Sequence, residues 1–244
     1  LAIALPGAIL GGSLLLHAVQ RGYPVSGARF TSIYQGGIRF NSYIGLAAIQ
    51  ATIGDTGVAI AALCMAIMIP LINLLCILTF SLHTSASRSG WRQVATNVMS
   101  NPLILACLAG IFLNQMEVTF PDPVVKVLGH VGDMALPMGL LCVGAALDLR
   151  RVGDGSGALL WAMAFKLLAM PLLFVVAARL AGLDTIASQV LLTLGALPTA
   201  TASYILARQL GGEAPLMATI ISAQTLAGML SMPLVIPLLM PLAG

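Results

Sequence analysis

About eight stretches of this chain are apolar over lengths near the ~20 residues that a helix needs to cross a ~30 Å hydrocarbon core, and this fixes its solvent. They lie at roughly 1 to 19, 31 to 51, 57 to 80, 101 to 116, 131 to 147, 157 to 178, 186 to 207 and 215 to 241. Strands of a membrane barrel would be half as long and would alternate in polarity, which these runs do not. A bundle of helices, each satisfying its own backbone, is the structure that lipid allows. Only 8% of residues are charged, against about a quarter in a water-soluble domain. The basic residues are scattered, with Arg150 and Arg151 the one adjacent pair, so no nucleic-acid partner is implied. The chain is expected to be an all-α, multi-pass membrane protein whose surroundings are the bilayer.

Arginine and lysine positions set an expected orientation. Loops after the first, third, fifth and seventh runs carry Arg21, Arg29, Arg88, Arg92, Arg150, Arg151 and Arg208, whereas the alternate loops carry Lys126 and Arg179. Positive residues favour the cytoplasmic side, which places both ends of the chain outside. The Ser/Thr-rich stretch 81–100 reads as a cytoplasmic linker. Four cysteines, Cys64, Cys76, Cys107 and Cys142, sit in apolar runs without metal-binding spacing and read as buried thiols.

The chain also resembles itself. RFNSYIGLAAIQATIGD followed by MIPLINLL pairs with LPTATASYILARQLGGE followed by SMPLVIPLL, setting Asn41 on Thr199, Gly54 on Gly212 and Pro70 on Pro233. The matched runs are the second and the seventh. Five crossings separate them, so the copies would enter the membrane from opposite sides, as in the inverted repeats of secondary transporters. Each repeat would hold five spans, which puts two more ahead of Leu1.

The embedded charges are both cationic, Arg39 and Lys166. The carboxylates, among them Asp55, Asp133, Asp184 and Glu213, read as loop or helix-end residues. A cation at the centre of a membrane helix costs roughly 2.5 to 3.5 kcal/mol on insertion scales, a cost that an anionic ligand would offset. Snorkelling to the interface is the plainer reading of each. The second run is polar through its middle, with Gly36, Gly37, Arg39, Asn41 and Ser42. Paired glycines let a helix open there, and freed amides beside Asn41 would suit a carboxylate. The seventh run answers with Gly195, Pro198, Thr199, Thr201 and Ser203, the proline breaking its helix. Packing by small residues is the alternative for each one singly.

An enzyme is not expected. The Gly-Asp pairs at Gly54-Asp55 and Gly132-Asp133 lack the rest of an intramembrane protease motif. His17, His83 and His130 are far apart in sequence, near membrane edges, and suggest no metal centre. No cofactor is implied.

Five segments together resemble the auxin efflux carrier family of membrane transport proteins, whose prokaryotic members include carriers assigned to malonate and malate. They are RFNSYIG from Arg39, IPLINLL from Ile69, NPLILACLAG from Asn101, LPMGLLCVGAAL from Leu136 and ALPTATASYILARQLGG from Ala196. The resemblance implies two inverted five-helix repeats, ten helices when complete and about eight here, with crossover helices at about 31–51 and 186–207. It implies transport-domain helices of the first repeat at 1–80, the linker at 81–100, scaffold helices at 101–150 and transport-domain helices of the second repeat at 151–244. A small organic anion would bind where the helices cross. Arg39, Asn41, Ser42, Pro198, Thr199 and Lys166 are the candidate contacts, and Gly36, Gly37 and Gly195 belong to the crossover. Phe40 stands where the plant carriers have proline. The expected function is a secondary carrier of a carboxylate or dicarboxylate, such as malonate or malate, in a bacterial inner membrane, with a homodimer compatible. The rivals are a sodium-coupled anion symporter of related fold and a non-transporting membrane subunit.

Overall fold

A computed structural model describes residue 1 and residues 3–84, 102–145 and 157–243, and every regular element among them is helical. Helix α1 spans Ala4–Gly22, α2 Gly27–Ile38, α3 Ser42–Thr52 and α4 Asp55–His83. Helix α5 covers Pro102–Gln115 and α6 Asp122–Ala145. Helix α7 runs over Gly157–Leu180 with a π-helical turn at Phe165–Ala169. Then come α8, Thr185–Ala196, α9, Ala202–Leu210, and α10, Ala214–Ala243. Each apolar run carries one helix except 31 to 51 and 186 to 207, which each carry two. By length and composition, α4, α7 and α10 are able to cross a membrane unaided. Of the linker expected at 81–100, residues 85 onward lie outside the described residues.

Polarity is arranged inside out. Leu14 is 71% exposed and Leu230 74%, whereas Gln35, Thr199 and Gln224 are fully buried. A body with leucine outside and glutamine inside is stable where the surroundings are apolar and the interior supplies hydrogen bonds. The main core joins α1, α2, α4, α7 and α8 through residues such as Leu5, Ile9, Phe30, Met68, Phe174 and Leu194. Helices α5 and α6 stand to one side, α5 against α4 and α6 against α3.

The fifth run begins earlier than hydropathy suggests. Helix α6 starts at Asp122, nine residues before the apolar stretch, with Pro123 and an acidic residue in its first turn, both favoured there. Asp133 therefore lies in mid-helix on an exposed face, a correction to its reading as a helix-end residue. Charge interrupts hydropathy without interrupting a helix. The glycines matched by the repeat do close their helices alike. Gly54 donates its N–H to the carbonyl of Ile49 and Gly212 to that of Ala207, each five residues back, at 3.1 and 2.8 Å. Pro70 and Pro233 each lie within a long helix.

Candidate functional site at a helix crossover

The two interrupted runs break for different local reasons. Before Pro198, Leu197 is held extended (φ −63°, ψ 145°), since the proline ring disfavours helical backbone in the preceding residue. The other break has no proline. Arg39 leaves the helix at ψ 158°, and Asn41 begins the next one by accepting the N–H groups of Tyr43 and Ile44 at Oδ1, at 3.1 and 3.3 Å. Such an N-cap contributes about 0.5 to 2 kcal/mol to helix stability.

These breaks meet each other. The Asn41 N–H donates to the Pro198 carbonyl at 2.9 Å, and Thr199 Oγ1 donates to the Gln35 carbonyl at 3.1 Å. Gln224 of α10 fastens the crossing from a third side. Its Oε1 accepts the Thr199 N–H at 3.0 Å, and its Nε2 donates to the carbonyls of Gly36 at 3.1 Å and Ala162 at 2.9 Å. The last of these lies just before the π turn of α7, where the ladder of helical bonds is loosened.

Several buried polar atoms at the crossing have no hydrogen-bond partner among the described residues: Asn41 Nδ2 and both amide atoms of Gln35, with Thr225 Oγ1 beside Gln224 on α10. Asn41 has turned its oxygen into its own helix and left its amide nitrogen as a free donor. Arg39, half-buried, lines a cavity of about 40 Å³ with Phe40, Ile69, Ile72, Asn73 and Ala200. Lys166 is 1% exposed on the π turn, which packs against α2. Among the described residues no ion pair engages either cation. Described carboxylates near the ends of the bundle are committed elsewhere: Asp184 caps α8, Asp55 accepts from Gln50, and Glu213 lies 3.6 Å from Arg29.

The structure thus gathers Asn41, Pro198 and Thr199 at one point with Gly36 beside them, while Arg39 lines the adjoining cavity. Ser42 opens α3 half-buried. The glycines act differently from expectation. Gly36 and Gly37 stay helical, and the chain opens two residues later. Their role is close packing, since a Cβ on Gly36 would lie 2.8 Å from Ile220 and one on Gly37 2.9 Å from Leu16 and Phe165. Gly195 likewise stays helical and lets Phe174 approach. Gln35, Asn73, Gln224 and Thr225 were not singled out by the sequence reading. Their signal was available, an amide or hydroxyl within an otherwise apolar run.

Residues 87–236 match the family described as "Membrane transport protein", more than half of the chain and all of α8, its Pro198 break and α9. The chain belongs to this membrane transport protein family. That agrees with the auxin efflux carrier resemblance of its segments. It is also 27% identical over 144 residues to a protein of Rhizobium meliloti (strain 1021) named "Putative malonate transporter". The alignment covers 56% of this chain, which spans 45% of that relative's length. As a transport family member the protein is membrane-embedded. Pro198, Thr199 and Lys166 fall inside the family match, whereas Arg39 and Asn41 precede it.

Proposed function

We propose that the protein is a secondary carrier for a small organic anion, a dicarboxylate of malonate size, and that the anion binds at the crossover. One observation carries the reading. A buried crossing of two broken helices holds an unpartnered Asn41 amide donor beside Arg39, with Lys166 buried on the π turn that packs against α2, and no described carboxylate pairs with either residue. Asn41 Nδ2 donates to one carboxylate of the substrate and Arg39 supplies its charge. Lys166 faces the second carboxylate, while Ser42, Pro198 and Thr199 shape the opening. The name of the Rhizobium relative supports malonate as the first substrate to try.

The cavity at Arg39, about 40 Å³, has room for a few waters or one carboxylate group and not for a whole dicarboxylate. Admission therefore requires the packed elements to part, first toward one side and then the other, as alternating access demands. Helices α1–α4 and α7–α10, which share the crossover, form the moving body in this reading. Helices α5 and α6 belong to the scaffold, and the two broken helices are the centres of inverted repeats. The protein sits in the bacterial inner membrane with both ends of the present sequence outside.

The test is binding and uptake by the full-length protein in proteoliposomes. Malonate or malate should stabilise it and be taken up in preference to a monocarboxylate of similar size, with an organic amine inert. Stabilisation by the amine and by no carboxylate would overturn the anion reading.

A further inference from the structure

Two histidines that stand 66 positions apart come together at one end of the bundle. The rings of His17, near the end of α1, and His83, the last residue of α4, have centroids 5.7 Å apart. Phe30 and Tyr34 of α2 enclose them: Phe30 lies 5.4 Å from His17 and 4.7 Å from His83, and Tyr34 stands edge-on to His17 at 5.1 Å. Both imidazoles make the same backbone bond, His17 Nδ1 to the Ser13 carbonyl at 2.9 Å and His83 Nδ1 to the Thr79 carbonyl at 3.0 Å. A carbonyl only accepts, so Nδ1 carries the hydrogen in each ring, and in the neutral ring Nε2 is a base with no partner among the described residues. The two rings share one aromatic enclosure with Phe30 and Tyr34.

Polar side chains are spaced along α4 from this pair toward the crossover. The Tyr34 hydroxyl bonds Ser13 Oγ at 2.6 Å and has Thr79 within hydrogen-bonding reach. One turn before Thr79 on α4, Cys76 lies against Arg39, and Asn73, a further turn back, lines the Arg39 cavity. Positions 73, 76, 79 and 83 form one stripe of α4 that faces α1 and α2. Among the described residues the charged groups on the surrounding elements are few. Arg21 follows His17 by one turn on α1, Arg208 is on α9, and Arg29 of α2 lies against Glu213 at the head of α10. Among the described residues no carboxylate bonds either imidazole.

We propose that His17 and His83 form a shared proton-binding site, and that a proton bound there drives anion movement at the crossover. Each Nε2 is a proton acceptor, and the two rings stand 5.7 Å apart between centroids, close enough for a charge on one to repel a charge on the other. A charge gained there tells, through Tyr34, Cys76 and Arg39, on the residue that holds the substrate. This coupling rests on the anion-carrier reading above.

The test has two arms on the full-length protein. In lipid nanodiscs with isotope-labelled histidine, NMR should show both rings as Nδ1–H tautomers at high pH. On acidification both should take a proton at Nε2, and His83→Gln should displace the titration of His17. His130, exposed on α6, is the internal reference and should not respond. In proteoliposomes an inward proton gradient should accumulate malonate, and His17→Gln or His83→Gln should reduce accumulation to the level seen at equal pH on both sides. Rings that titrate independently, or not at all between pH 5 and 8, overturn the shared site. Coupled titration with uptake indifferent to the gradient overturns the coupling and leaves the anion reading standing. No uptake of any anion under any gradient overturns both.

Discussion

Asn41 does two things with one side chain, and its substitutions separate them. Oδ1 caps α3 while Nδ2 stays free. Asn41→Asp keeps an oxygen for the cap and replaces the donor by a like charge facing the anion. The variant is expected to fold with near-normal thermal stability and to lose measurable malonate binding in calorimetry. Asn41→Ala removes both functions. Losing a hydrogen bond to a charged group, worth about 1.5 to 3 kcal/mol, weakens affinity roughly 10- to 150-fold, and losing the cap lowers stability as well. Arg39→Gln removes a charge rather than one bond, so dicarboxylate affinity should fall further than that of a monocarboxylate when the two are titrated side by side. If Arg39→Gln weakened both equally, Lys166 would become the better candidate for the second charge.

At the scale of elements the crossing is held by Gln224. Leucine at this position fills similar space but leaves the Thr199 N–H and the Gly36 and Ala162 carbonyls unmatched, each at about 1 to 3 kcal/mol when buried. Gln224→Leu is therefore expected to lower the melting temperature more than either Asn41 variant, whether or not anion is present. Pro198→Ala acts on the other side of the same joint. It frees Leu197 to become helical and lets α8 lengthen, so transport rate in proteoliposomes should fall although the protein inserts and folds. An unchanged rate would mean that the break is held by Asn41 and Gln224 alone.

For the whole molecule, the proposed orientation rests on where arginine lies rather than on any contact. Single cysteines placed at positions 184 and 244 should react with an impermeant reagent in intact cells, and cysteines at 88 and 151 should react only after the membrane is opened. The opposite labelling would reverse the orientation and with it the side from which the His17–His83 pair meets the proton.

Much of the architecture is local and was legible from the chain. Among the described residues every helix overlaps one of the apolar runs, because apolar length is what a bilayer demands of a helix. Pro198 and the polar cluster around Asn41 mark the two breaks, because proline and capping side chains act on the backbone within a few residues. Other features were decided in three dimensions. Whether Gly36 opens a helix or packs against Ile220 depends on what faces it. Gln224 reaches residues 25, 62 and 188 positions away. His17 and His83 are unremarkable until α1 and α4 pack against α2. A long-range partner leaves no trace in the local pattern on either side of it: the sequence determined which segments are helical and where they break, and tertiary packing decided which polar groups met there and which, among the described residues, were left without a partner.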